Sequence, residues 1–182
     1  MNAVLNNLYE RKLNVDLHRP IIDEDSGAAT FILYSLNGNI LGYHQYRPFA
    51  DKKNDNNPKT SKYYTYRIKT QIPFWGAESY YINDGPIFLT EGIFDGSRLT
   101  YRGQTCFSVL CNNPSPDLKN FFKMLPRPVV AICDNNSAGM KLKKFGDYFE
   151  VVDKFNDLGD SDEEYVTYII EKYRNPFYIK KK

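Results

Sequence analysis

Hydrophobic and polar positions follow one rhythm up to about residue 85 and another after it. In the first stretch, short runs of β-branched and aromatic residues are separated by polar turns. Thr30 to Leu36 (TFILYSL) leads through Asn37-Gly38-Asn39 into Ile40 to Arg47, and an Asn-Gly turn between two such runs predicts a β-hairpin. Ala50 to Ser61 is polar, charged and broken by Pro58, the pattern of a loop. Lys62 to Lys69 (KYYTYRIK) predicts a third strand in which Lys62, Tyr64, Tyr66 and Ile68 share a face. Asn2 to Leu13 has the spacing of an opening helix.

After the turn-rich Ile82-Asn83-Asp84-Gly85-Pro86 the pattern becomes alternating strand and helix. Strands are predicted at Pro86–Thr90, Thr105–Leu110, Pro128–Cys133 and Phe149–Val152. Helices are predicted at Ile93–Tyr101, Asp117–Met124, Ala138–Gly146 and Asp162–Tyr173. Strands separated by helices of this length argue for a parallel sheet with helical crossovers, in which ligands bind beyond the carboxyl ends of the strands. The expected organisation is a β-rich, basic part over residues 1–85, an α/β domain over 86–173 and a basic tail over 174–182.

Composition narrows the class. The 182 residues include 15 Tyr, 12 Phe and 1 Trp, enough ring surface for a sizeable core, which excludes disorder as the main state. No apolar run approaches the ~18 residues that cross a bilayer. Cys106, Cys111 and Cys133 form no CxxC pair, so neither a disulfide framework nor a zinc site is expected, and a cytoplasmic setting is. The net charge of +2 is unevenly spread. From Gly38 to Trp75 seven Lys and Arg stand against two Asp; from Val151 to Glu171 one Lys stands against seven acidic residues. Taken alone, these are two solvated patches; taken with the strand pattern, one suits phosphates and the other a divalent cation.

The strand-end rule picks out three acidic places. The first α/β strand runs into Glu91-Gly92-Ile93-Phe94-Asp95, where Gly92 offers backbone freedom for a sharp turn and Asp95 follows one helical turn after Glu91. The apolar run Ala131-Ile132-Cys133 stops at Asp134, followed by Asn135-Asn136-Ser137-Ala138-Gly139-Met140-Lys141. The last strand leads to Asn156-Asp157-Leu158-Gly159-Asp160, with Asp153 nearby. Hard oxygen donors at one sheet edge suit Mg²⁺, often shared with substrate phosphates. Singly, Asp134 also reads as a helix N-cap and Asp157 as a turn residue.

These residues resemble the Toprim domain shared by topoisomerases and bacterial-type primases. Glu91-Gly92-Ile93-Phe94-Asp95 is similar to its strand-ending glutamate motif. Asp134 to Lys141 resembles the Asp-x-Asp-x-Ala-Gly motif of the primase branch, and Asn156 to Asp160 the third acidic motif of small phage and mobile-element primases. Upstream, Phe31 to Arg47 resembles the hairpin before the primase Toprim fold, and Lys62-Tyr63-Tyr64 the family's Lys-Tyr element. The resemblance covers Thr30 to Glu171. It implies a Rossmann-like parallel sheet with flanking helices behind a small mixed β-rich subdomain. It also implies RNA primer synthesis on single-stranded DNA from nucleoside triphosphates with Mg²⁺ or Mn²⁺. In that scheme Glu91 is general base or organiser of the metal site, and Asp134 and Asp157 hold metal with Asp95 in support. Asn136 and Asp160 complete the metal set. Arg47, Lys62, Tyr63, Arg67 and Lys141 meet template or nucleotide.

Two departures from the family pattern keep other readings open. Asn136 replaces an aspartate, and no Cys/His cluster supplies the zinc-binding domain that aids primer initiation, so a zinc-binding or helicase partner in trans is expected. His18 and His44, the two histidines, read as structural or solvent-facing rather than as ligands. The alternative is a non-catalytic Toprim-like protein that binds nucleic acid or the replication or transcription machinery. A Toprim nuclease is a third reading, and the length is too small for a strand-gating topoisomerase.

Overall fold

Asn2 caps the first helix, α1 (Ala3–Glu10): its side-chain oxygen accepts from the amides of Val4 and Leu5 at 2.8 and 3.1 Å, partners that first-turn N–H groups otherwise lack. The computed structural model describes residues 2–68, 72–111 and 114–174. The tail expected at 174–182, Arg174 apart, lies outside them, as does Lys69. α1 is shorter than the opening helix expected from Asn2 to Leu13. A four-residue helix, α2 (Val15–His18), and a short edge strand, β1 (Ile21–Asp23), follow it.

The hairpin forms as its pattern predicts, from β2 (Ala28–Tyr34) and β3 (Ile40–Tyr46), and Gly38 takes the left-handed φ of +83° that the turn requires. β4 (Tyr63–Arg67) pairs antiparallel with β3, completing a four-stranded sheet in the order β1-β2-β3-β4. Alternation puts His44, Tyr46, Tyr63 and Thr65 on one face and Tyr43, Gln45, Tyr64 and Tyr66 on the other. On the second face Tyr43 stacks on Tyr66, with ring centres 5.2 Å apart, and Tyr64 lies tilted against Tyr43 at 6.2 Å.

The second sheet is parallel, in the order β6-β5-β7-β8: β5 (Ile87–Thr90), β6 (Thr105–Ser108), β7 (Val129–Asp134) and β8 (Tyr148–Val152). Crossovers are made by α3 (Ile93–Tyr101), α4 (Pro116–Met124) and a 3-10 turn at Gly139–Phe145. The last helix is α5 (Glu163–Tyr173), capped by Asp162, which accepts from the Tyr165 amide at 2.7 Å. Because β-strand side chains alternate, the central strands feed two cores. Ile87, Leu89 and Ala131 join Phe31, Leu33 and Trp75 in a core shared with the antiparallel sheet, while Phe88, Val130 and Ile132 pack under Val166 and Ile169 of α5. Burial of such side chains stabilises by roughly 1.5–3 kcal/mol each.

Two segments depart from the sequence pattern. Residues 139–145 wind as a 3-10 turn instead of the expected helix, and Gly139 at its start packs directly onto Asp134: a Cβ there would stand 2.6 Å from the Asp134 carbonyl oxygen. Residues 75–81, which the composition groups with the β-rich part, pack against the edge of the parallel sheet. Trp75 and Ser108 exchange backbone hydrogen bonds of 2.9 and 3.0 Å, and the Ser79 hydroxyl accepts from the Cys106 amide at 3.0 Å. Among the described residues no helix is long and apolar enough to cross a membrane.

Candidate active-site cleft

The carboxyl edge of the parallel sheet opens into a cleft of about 380 Å³ whose opposite wall is the His44–Tyr63 face of the antiparallel sheet. β5 ends at Thr90, so Glu91 emerges at the cleft floor. Its carboxyl is held above the ordinary value by burial, with Lys141 partly offsetting this. Gly92 has an extended backbone (φ −106°, ψ 159°), so the turn does not draw on glycine's conformational freedom. What needs glycine is space, since a Cβ would lie 2.9 Å from Asp95 Oδ2.

Asp95 uses both oxygens on backbone amides: Oδ2 accepts from Gly92 at 3.1 Å and Oδ1 from Gly159 at 2.9 Å. One side chain thereby fixes the Glu91 turn against the Asp157 loop. Burial, then the charges of Asp134 and Asp157, push its carboxyl up to about 7 against the pull of those two amides. Asp134, at the end of β7, is pushed up to about 6 by burial, then by Glu91 and Asp157. The acidic residues expected at three strand ends therefore lie within each other's electrostatic reach. Asp157 lines the cleft, and its Oδ1 accepts from the Asp160 amide at 2.9 Å. Asp160 is exposed and acts on Tyr63 across the cleft.

Asn136 is placed differently from a cleft ligand. Its side-chain oxygen accepts from the amides of Ala138 and Gly139 at 2.9 and 2.8 Å, so both lone pairs serve the turn after β7. Among the described residues, no three His, Cys, Asp or Glu side chains already stand in position to hold one metal ion.

The basic residues divide. Tyr63 borders the cleft, stacked 5.4 Å from Tyr46, and Lys141 lies close enough to Glu91 to lower its carboxyl pKa. Arg47 is turned to the other face of the sheet, where Nη2 donates to Gln45 Oε1 at 3.0 Å. There it assists Ser26, the larger influence, in holding the Asp23 carboxyl low. Lys62 is half-buried and Arg67 exposed, and neither lines the cleft.

Three cleft residues escape sequence reasoning: Arg11, Lys52 and His44. Arg11 follows α1 and sits 4.2 Å over the Phe94 ring, and Lys52 comes from the polar loop. His44 is 5% exposed; its Nδ1 pairs with Thr65 Oγ1 at 2.8 Å while its Nε2 is buried without a partner among the described residues, and burial lowers its pKa to about 4. A lone histidine in an alternating strand carries no signal of that kind. A lysine in a charged loop and an arginine closing a helix look like ordinary solvated residues.

No family model matches the sequence, and no curated protein matches it. Solved structures do. The Aquifex aeolicus primase, comprising zinc-binding and RNA polymerase domains, matches with a TM-score of 0.61 at 20% identity, over 82% of this chain and 40% of that one. A DnaG primase catalytic domain bound to single-stranded DNA matches at 0.55 and 15%, over 97% and 62%. The primase fragment of the bacteriophage T7 primase-helicase matches at 0.56 and 14%, over 80% and 62%. The chain thus spans 40–62% of the length of these structures. With its parallel sheet, flanking helices and preceding antiparallel sheet in common with them, the chain has the fold of the catalytic cores of bacterial and phage DnaG-type primases.

Proposed function

We propose that this chain is a primase-type nucleotidyltransferase core that joins ribonucleotides on a single-stranded DNA template. The observation that carries this reading is the grouping of Glu91, Asp95, Asp134 and Asp157 at one edge of the parallel sheet, where Glu91, Asp95 and Asp157 share a cleft with Arg11, Lys52 and Tyr63. Mutually repelling carboxylates in partial burial suit a divalent cation, which would relieve that repulsion. Glu91, Asp134 and Asp157 would hold Mg²⁺ or Mn²⁺, with remaining positions left to water and nucleotide phosphate. Bound there, the metal would supply charge neutralisation at the transferring phosphoryl group. Glu91, with its raised carboxyl pKa, is suited to accept the proton of an attacking 3′-hydroxyl. Tyr63 offers a ring for a base to stack on, a contact of roughly 1–3 kcal/mol.

Similar structures support the ligand classes: one is a primase domain bound to single-stranded DNA, and another set shows T7 primase domains with a lagging-strand polymerase and an RNA/DNA hybrid. Work in trans with a zinc-binding domain or helicase, in a cytoplasmic replication setting, belongs to the same proposal.

A second reading is favoured by one observation. With the Asn136 oxygen spent on two amides and no ready-made three-ligand group among the described residues, a non-catalytic nucleic-acid- or replication-machinery-binding role is the alternative. Incubating the protein with nucleoside triphosphates, Mn²⁺ and single-stranded DNA, alone and with replication proteins, separates the two. RNA products that vanish in Glu91→Gln support synthesis. Retained DNA binding without products supports the alternative, and undiminished synthesis in Glu91→Gln removes the assigned site.

A further inference from the structure

β1 and β4 are the two edges of the antiparallel sheet, and β4 is the longer. Its ends show which backbone groups it leaves open. The Arg47 amide donates to the Lys62 carbonyl at 2.8 Å, and the Ile68 amide donates to the Leu41 carbonyl at 3.0 Å. Hydrogen-bonded pairs alternate along an antiparallel ladder, so Lys62, Tyr64, Tyr66 and Ile68 turn their backbone groups to β3. Tyr63, Thr65 and Arg67 turn theirs outward, and no other described segment hydrogen-bonds to those amides and carbonyls. Such an edge is a template for another strand unless proline, a bulge or a covering element blunts it. β4 pairs with β3 in unbroken register and contains no proline, and its tyrosines stay open to solvent, Tyr63 at 38% and Tyr66 at 47%.

The strand is complementary to itself. A two-fold axis through Thr65 sets Thr65 opposite Thr65, Tyr64 opposite Tyr66 and Tyr63 opposite Arg67. All three outward-facing residues of each copy then find hydrogen-bonding partners, whereas any other axis leaves an outward residue of the strand without one. An axis at Arg67 would also set two guanidiniums face to face. In the Thr65 register the two arginines lie on either side of the axis, each against a tyrosine ring, a favourable place for a guanidinium. On the other face, Tyr64 and Tyr66 of the two copies extend the ring ladder that Tyr43 begins at 5.2 and 6.2 Å.

We propose that β4 is a self-association edge, through which two copies of this chain join their four-stranded sheets into one continuous sheet. Tyr63 borders the acidic cleft, and the chain's own Arg67 does not line it. The pairing brings Arg67 of the second copy beside Tyr63, so each copy adds a cation at the border of the other's cleft. Two strands joined edge to edge form a small interface, so association is reversible.

Sedimentation equilibrium of the full chain over roughly 1–500 μM, with hydrogen exchange at both ends of that range, reads the pairing directly. A monomer–dimer equilibrium is expected, with the Tyr63, Thr65 and Arg67 amides exchanging about tenfold more slowly in the concentrated sample. Arg67→Pro removes an outward N–H that its own copy does not use, so Tm should hold while the dimer weakens by about tenfold or more. Register is read by mixing Tyr64→Cys with Tyr66→Cys protein under mild oxidant. Facing residues of a non-hydrogen-bonded pair have Cα atoms about 4.5 Å apart, so the mixture should cross-link and each variant alone should not.

A wild type that is monomeric throughout overturns the pairing, as does a dimer untouched by Arg67→Pro. Cross-linking of either single variant to the level of the mixture overturns it too. So does a monomer whose β4 amides slow only when another protein is added, since the edge then serves a different chain. None of these readouts depends on what the cleft binds. Primer synthesis by a strictly monomeric chain removes the pairing and keeps the reaction, and a dimer that makes no RNA does the reverse.

Discussion

Asp95 accepts a hydrogen bond from the Gly159 amide at 2.9 Å, bridging 64 residues of chain, and with its other oxygen accepts from Gly92. The link sets where the Asp157 loop stands relative to Glu91, so the site's geometry depends on a side chain that is itself spent on backbone. Asp95→Ala removes two charge-assisted bonds, each worth about 1.5–3 kcal/mol. The expected outcome is faster hydrogen exchange at Gly159, weaker divalent-cation binding and loss of any synthesis. Unchanged exchange at Gly159 would show that the loop is held by other contacts.

Stability should fall from mildly acidic to alkaline pH when no divalent ion is present. Asp95 rises from 3.8 to about 7 and Asp134 from 3.8 to about 6 in the folded protein, so the folded state binds these protons more tightly than the unfolded chain. That advantage is lost as pH climbs from about 4 through the folded values, on the order of 2–4 kcal/mol for Asp95 alone. His44 acts in the opposite limb. With its pKa lowered from 6.5 to about 4, the folded state loses stability as pH drops through that interval. Between about pH 4 and 6 the two carboxylates outweigh the one histidine, so thermal melts in chelator should peak near pH 4 and decline above it. Excess MgCl₂ should raise Tm more at about pH 8 than at the peak, because only ionised carboxylates bind it. A flat profile above pH 6 would contradict the placement of these carboxylates.

Much of the α/β half is legible along the chain because two of its buried strands are apolar runs that stop at a carboxylate. Ile132-Cys133-Asp134 and Leu89-Thr90-Glu91 announce their own ends, and Pro86 and Pro116 mark where elements start. The basic wall is not legible in the same way. Alternation shows that Tyr63 and Tyr64 face opposite sides, but only the packing of Tyr46 on Phe94 (ring centres 4.6 Å apart) decides that the Tyr63 side meets the acidic edge. Arg47, a strand-ending arginine by sequence, falls on the other face for that reason. Arg11 enters the cleft through the docking of Asn7 on Tyr46 and its own contacts to Phe94 and Ser97, which no local pattern encodes.

Gly139 tests how tightly Asp134 is seated. A Cβ there would meet the carbonyl oxygen, Cβ and amide nitrogen of Asp134 at 2.6–2.7 Å, and backbone atoms do not move aside cheaply. Gly139→Ala is expected to cost about 1–3 kcal/mol and to displace Asp134 from the cleft edge. Calorimetry would register the first effect and loss of Mn²⁺ binding the second. A variant with wild-type stability would mean that the 3-10 turn shifts as a unit.

Asn136→Asp asks whether the missing acid limits the metal site. The asparagine oxygen already serves the Ala138 and Gly139 amides, and a carboxylate oxygen can take over both bonds with greater strength, so the turn should persist and Tm should hold or rise. The second carboxylate oxygen then stands where an amide NH₂ stood, adding an anionic donor next to Asp134. One added charge near a surface cation contributes about 1–4 kcal/mol at contact distance, so Mn²⁺ should bind roughly tenfold more tightly or better by titration calorimetry. Primer synthesis should increase with it if this chain is a polymerase core. Tighter Mn²⁺ without any RNA product would place the deficit elsewhere and favour the binding role, whereas unchanged affinity would show that the turn after β7 faces away from the metal.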